Sequence, residues 1–145
     1  MPIRNRATLI VETKKGILLT SALPFPFVFS LPGGGIRRRE IPAEAAKREL
    51  EEETSLKVKE IKFLFTYKTF LNNYIVFSAK AKGTPIPQKE VRKIAFLEGK
   101  NRNHIRMFRA TRNIIQIYRK DYTGKKYSNI TSAPFQLHPS FLQAL

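Results

Sequence analysis

Three glutamates, Glu49, Glu52 and Glu53, are the residues whose types and spacing point most directly to chemistry. Pro42 suits a first helical turn, because its missing N–H would have no intrahelical partner there and its φ is already helical. From Ile41 or Pro42 to Thr54 nearly every residue is a good helix former, which predicts a helix over that stretch. At about 100° per residue the three glutamates fall within roughly a 100° arc, as neighbours at i, i+3 and i+4. Like charges so spaced repel, so the cluster calls for a compensating cation, and hard divalent ions favour carboxylate oxygens. Magnesium or manganese is the natural choice. Ala43, Ala46 and Leu50 form an adjoining apolar stripe that predicts docking on a sheet, while Glu44, Lys47 and Glu51 turn to water.

Ahead of this helix, Gly33, Gly34 and Gly35 permit positive φ and close backbone approach to a phosphate or a metal. No Gly-Lys-Ser/Thr follows, which excludes a Walker loop, and a basic, carboxylate-bearing helix replaces the dinucleotide fingerprint. Arg37, Arg38 and Arg39 come next, placed to meet arriving phosphates bidentately; a solvated arginine run is the alternative.

Taken with Glu40 and Arg48, residues 34–56 resemble the signature of the Nudix hydrolases, G-x5-E-x7-R-E-U-x-E-E-x-G-U, with U a bulky aliphatic residue. The matching positions are Gly34, Glu40, Arg48, Glu49, Leu50, Glu52, Glu53 and Leu56. Ser55 departs, standing where the family has a glycine that usually closes the helix in a left-handed conformation, so the helix end is open to another geometry. The resemblance implies an α/β fold in an α+β layout, a mixed β-sheet sandwiched between the signature helix and a C-terminal helix. It implies a divalent-metal-dependent pyrophosphohydrolase, using Mg2+ or Mn2+, that cleaves a phosphoanhydride bond in a nucleoside diphosphate-linked substrate.

Carried over position by position, Glu52 and Glu53 are the principal metal ligands, and Glu49 is a further ligand or the general base. The carbonyl of Gly33 or Gly34 lies nearby, Arg48 orients the glutamates by salt bridging, and Glu40 supports the loop or a ligand. Gly34, Gly35 and the three arginines fall on the substrate side. Many members bring a further acid from a later loop to the metals, and Glu90 occupies the comparable place, with a solvated loop carboxylate as the alternative. Subclass marks are sparse. The upstream arginine motif of the coenzyme A type is missing, and Leu71 stands where the ADP-ribose type has proline. Tyr74, eighteen residues past Leu56, matches the tyrosine of dinucleoside polyphosphate hydrolases, although a tyrosine opening a strand is commonplace. Removal of pyrophosphate from RNA 5′ ends and a non-catalytic nucleotide- or RNA-binding module are the other readings. The intact glutamates argue against the last.

The elements that must position these residues follow from hydrophobic patterning. Arg6 to Val11 and Gly16 to Leu19 read as a hairpin turning at Lys14, Lys15 and Gly16. Pro24 and Pro26 make Leu23 to Phe27 a loop or edge before a short strand from Val28 to Leu31. Phe25, Phe27 and Phe29 alternate, for packing or for base stacking. Val58 to Tyr67 and Tyr74 to Lys80 predict paired antiparallel strands, Ile86 to Glu90 a proline-containing loop, and Val91 to Leu97 a further strand. Residues 102–120 have helical spacing, with Met107, Ala110, Ile114, Ile117 and Tyr118 on one side and Arg102, Arg106, Arg109, Asn113, Gln116 and Lys120 opposite. A tail without periodicity occupies residues 121–145.

A chain of 145 residues with 42% hydrophobic content predicts one domain over 1–145. The absence of cysteine excludes disulfides and thiolate chemistry, and His104 and His138 are too few for a histidine-built metal site. No stretch has the apolar length to span a bilayer and MPIRNRATLIVE lacks a signal core, so no membrane partner and a cytoplasmic location are expected. The sequon at Asn129-Ile130-Thr131 then reads as chance. Lysine and arginine number 27 against 11 acids, a net charge of +16 that favours polyanions, RNA among them. If the stripe of Arg102, Arg106 and Arg109 faces the approach to the metal site, it favours long anionic substrates; a solvated helix face is the alternative. A homodimer is left open.

Overall fold

The computed structural model describes residues 2–99 and 104–123. Arg102, His138, the sequon and nearly all of the expected tail lie outside the described residues.

Strand β1 (Arg4–Thr13) is the member that the others share. Its run Ala7 to Val11 is buried on both faces, which is why it reads as apolar at every position but Thr8 and not as alternating. Ala7, Leu9 and Val11 point to one side and Ile10 to the other, by the two-residue period of a strand. A tight turn leads to β2 (Gly16–Ala22), antiparallel to β1 through Glu12–Ile17 and Thr13–Gly16 pairs. β3 (Phe25–Ser30) is the edge beyond β2, as its Pro26 requires, since a proline cannot donate to a ladder. It extends further back than the sequence suggested: Phe25 and Phe27 belong to it, and Leu31 falls just outside.

The three glycines form a short strand, β4 (Gly33–Gly35), antiparallel to β1, and not an open loop. After helix α1 (Pro42–Thr54) come β5 (Lys57–Lys68) and β6 (Asn72–Lys82), antiparallel to each other and each slightly longer than patterning indicated. β6 then lies parallel to β1 from Arg4–Asn72 to Val11–Ala79, which makes the sheet mixed. β7 (Val91–Leu97) matches its expected bounds and pairs with β2.

The sheet has a helix on each face. Ala45, Ala46 and Leu50 of α1 pack with Ala7, Leu9, Val11, Leu18 and Phe77. Helix α2 (Arg109–Asp121) inserts Ile114, Ile115 and Tyr118 among Ile10, Leu19, Phe65 and Val76 on the other. Expectation and structure differ over where α2 begins. The Phe29 N–H donates to the Arg106 carbonyl at 2.8 Å and the Phe108 N–H to the Phe29 carbonyl at 3.1 Å, so residues 106–108 are spent on the edge of β3. Backbone groups used there cannot enter a helical ladder. Arg106 therefore precedes the helix and is not on it. The buried face of α2 also includes Thr111 and Asp121, while Ala110 and Ile117 flank it.

Candidate active site

α1 starts at Pro42 without a side-chain cap and ends at Ser55, whose φ of 65° is left-handed and whose N–H donates to the Glu51 carbonyl at 2.9 Å. The serine thus adopts the geometry normally left to glycine. Ala45, Ala46 and Leu50 are fully buried, with Ala43 only partly so, which fixes the helix roll. That roll turns Glu49 and Glu53 toward β4 and carries Glu53 inside, where it is 6% exposed.

The glycines make room for these carboxylates. A Cβ on Gly34 would stand 2.5 Å from the Glu49 carboxyl carbon, so only glycine lets this side chain lie across the strand. On Gly33, at φ 152°, a Cβ would meet the Ala7 carbonyl oxygen at 2.1 Å, so glycine there lets β4 lie against β1. The Gly33 N–H points back and donates to Glu53 Oε1 at 3.3 Å. Gly35 is exposed, and its carbonyl accepts from Arg48 Nη2 at 3.1 Å.

Arg48 is the hub. Its guanidinium donates to both oxygens of Glu40, at 2.8 and 2.9 Å, to Glu49 at 2.9 Å and to Glu52 at 3.3 Å. These bonds make the guanidinium hold its proton still more firmly, Glu40 being the first cause. Glu40, bonded by Arg48 and by the Arg37 N–H at 3.0 Å, is held down to about 2. Glu52 is lowered chiefly by Lys89, whose ammonium lies 3.0 Å away, with Arg48 and Arg37 adding to it. Arg37 approaches Glu52 at 3.8 Å, while Arg38 and Arg39 are exposed and form no ion pair among the described residues.

Glu53 goes the other way. Desolvation, then the Glu49 charge, push it up to about 8, with a smaller like-charge contribution from Glu90. Glu49 and Glu53 are therefore brought together with Glu90 in range, whereas Glu52 is drawn toward cations. Among the described residues no three acidic or histidine side chains already form a metal cage. The carboxylates still fit a divalent ion, because Glu53 lies in a poorly solvated place where the Glu49 charge opposes its ionisation.

Glu90 arrives on a loop pinned to the end of α1. The Ile86 N–H donates to the Thr54 carbonyl at 2.9 Å and the Gln88 N–H to the Glu53 carbonyl at 3.0 Å, satisfying helix-end acceptors. This pinning brings in Lys89, at φ 53°, a residue that sequence reasoning passed over although it adjoins Glu90. Tyr74 lies elsewhere: it packs against Tyr67, at 6.4 Å between ring centres, on the face covered by α2. Arg106 and Arg109 belong to that face as well, away from α1.

A family model described as the NUDIX domain matches residues 1–115. In fold, the chain is similar to a nudix hydrolase family member of Chromobacterium violaceum, with TM-score 0.79 and 29% identity over 90% of this chain and 88% of that one. A NUDIX hydrolase of Nitrosomonas europaea gives TM-score 0.72 and 22% identity over 83% and 72%. A bifunctional NMN adenylyltransferase/ADP ribose pyrophosphatase of Francisella tularensis, complexed with AMP and a manganese ion, gives 0.66 and 19% over 84% and 42%. No curated protein matches the sequence. With its signature glutamates gathered under a glycine strand on a mixed sheet, and the family model spanning most of its length, the chain belongs to the Nudix family and is a pyrophosphohydrolase.

Proposed function

We propose that this protein, as one domain in the cytoplasm, hydrolyses a phosphoanhydride bond in a nucleoside diphosphate-linked substrate, with Mg2+ or Mn2+ held by Glu49, Glu52 and Glu53. The observation that carries the reading is the Glu49–Glu53 pair, crowded and poorly solvated beneath Gly33 and Gly34. When bound, the divalent ion supplies charge neutralisation for the diphosphate oxygens and lowers the pKa of the attacking water. Glu53, raised to about 8, retains a proton near neutrality until a cation offsets its desolvation, and the Gly33 N–H orients the carboxylate. Arg48 holds Glu49 and Glu52 in position while tying them to Glu40, so the donor set is arranged before substrate arrives. Glu49 is either a further ligand or the base that takes the water proton. Arg37, exposed beside Glu52, supports a role in gripping phosphate.

The substrate is proposed at the level of class. RNA 5′-end pyrophosphate removal is the second reading, favoured by the net charge of +16. A phosphate-release screen over nucleotide derivatives and 5′-triphosphorylated RNA, run with Mg2+, with Mn2+ and with chelator, tests both. Metal-dependent release from at least one nucleotide derivative is expected. No release from any compound would leave the non-catalytic binding module standing.

A further inference from the structure

On the sheet face opposite the glutamates, a cavity of about 760 Å³ opens between α2 and residues 105–107, a size typical of small-molecule sites. Leu97, Ile105, Met107 and Ile115 give it an apolar wall. Arg106, Arg112, Arg119 and Lys120 give it a cationic rim. Arg112, Gln116 and Lys120 recur every four residues, so they form one row along α2, and Arg119 adjoins that row while donating to the Leu97 carbonyl at 3.4 Å.

The charged side chains that line this cavity have a single sign, and the nearest acids in the chain, Glu98 and Asp121, adjoin its lining without belonging to it. From Gly99 to Lys120 the sequence holds five arginines and two lysines and no carboxylate. Arg106, Arg112 and Lys120 are exposed and form no ion pair among the described residues, in contrast with Arg48, which serves three carboxylates. Uncompensated cations on one helix face repel, and an anion drawn between them relieves that repulsion. Residues 124–145 carry two lysines and no aspartate or glutamate, so their side chains offer no counter-charge. A guanidinium row beside an apolar wall suits an anion with a flat, weakly polar body: phosphates meet arginine bidentately and a base lies on aliphatic carbon.

We propose that this cavity binds a nucleoside polyphosphate at a second site, separate from the hydrolytic glutamates. Arg106, Arg112, Arg119 and Lys120 grip the phosphates, and Leu97, Ile105, Met107 and Ile115 receive the base. Protein cations neutralise the phosphates here, so binding requires no divalent ion, and the site stands whether or not the hydrolytic reading does.

The test is calorimetric titration of the full chain with ATP in EDTA at low salt, repeated with tripolyphosphate and with a short 5′-triphosphorylated RNA. Wild type should bind ATP without metal, tripolyphosphate more weakly, and both less as salt rises. The double variant Arg112→Ala/Lys120→Ala should weaken ATP binding about tenfold or more, with melting temperature and metal-dependent hydrolysis unchanged. Lys120→Glu, at one exposed position, serves if the double variant fails to fold. RNA binding far tighter than ATP would identify the polyphosphate as an RNA end, and equal binding as a free nucleotide. Absence of ATP binding in EDTA, or an unchanged affinity in a folded variant, overturns the site. Tripolyphosphate binding as tightly as ATP overturns the role of the apolar wall.

Discussion

α1 and α2 are each thirteen residues long and cover opposite faces of one sheet, yet they treat charge in opposite ways. On α1 every signature charge has a partner: Arg48 joins Glu40, Glu49 and Glu52, Lys89 joins Glu52, and the Gly33 amide meets Glu53. On α2 the exposed Arg112 and Lys120 form no ion pair among the described residues. The first arrangement fixes side chains in advance, which chemistry at one phosphorus demands. The second leaves long cations free to adapt, which suits capture of an anion more than its conversion.

The largest effect is expected on α1, at Glu53. Glu53→Gln, and likewise Glu52→Gln, should lower kcat by about a hundredfold or more, because a neutral amide holds the proposed divalent ion less firmly. Glu53→Gln should fold at least as stably as wild type, having lost a buried carboxyl whose ionisation Glu49 opposes. Near wild-type turnover with the usual metal requirement in either variant would refute the ligand assignment.

The two glycines beneath α1 serve different ends. Gly33→Ala forces a side chain against the backbone of β1 at a left-handed φ and should cost about 3 kcal/mol of stability by denaturant titration. Gly34→Ala meets only the mobile end of Glu49, so it should cost under about 1 kcal/mol while reducing kcat about tenfold. Equal stability losses would show that both glycines serve the sheet alone.

Acid–base behaviour gives a smaller effect. Glu53 is raised from 4.5 to about 8, so the stability it contributes is fully present below pH 4.5 and is lost as pH rises through about 8. Chelated protein should lose on the order of 1 to 3 kcal/mol across that window, and Glu53→Gln should flatten the decline. Glu40 opposes it: held down to about 2, it contributes stability present above 4.5 and lost as pH falls through about 2. A flat wild-type profile from pH 5 to 8 would contradict the burial of Glu53.

The smallest expected change is at Ser55. At φ 65° a serine pays a steric cost that glycine avoids, so Ser55→Gly should raise stability by about 0.5 to 1 kcal/mol. A lower melting temperature would mean that the Ser55 side chain supports the helix end.

Much of α1 and its surroundings was legible because local rules decide them. Pro42 and the run of helix formers set the helix, and the signature spacing picked out Glu40, Arg48, Glu49 and Glu53, which the structure gathers at β4. β7 could be read to its bounds because its run is framed by the loop before Val91 and by Gly99. What stayed hidden depends on contacts between distant residues. The glycines become a strand only because β1 is there to pair with them, and residues 106–108 leave helix because β3 has a free edge. Lys89 reaches Glu52 only because its loop is bonded to the end of α1. Neither partner lies within a helical turn of the other, so no periodicity could disclose it.

The parallel pairing of β1 with β6 also sets an order in time. It joins Asn5 to Asn73, 68 positions apart, with α1 between them in the chain. A chain growing from its first residue completes the glutamate helix before the strand that closes the sheet beside β1 exists. Such long-range closure is slow to be rewarded, since entropy is lost before the contacts are gained. The loop that caps α1 through Ile86 and Gln88 comes later still. The glutamate helix is therefore made well before the strand and the loop that hold it in place, and β7 and α2, which complete the scaffold, follow that loop in the chain.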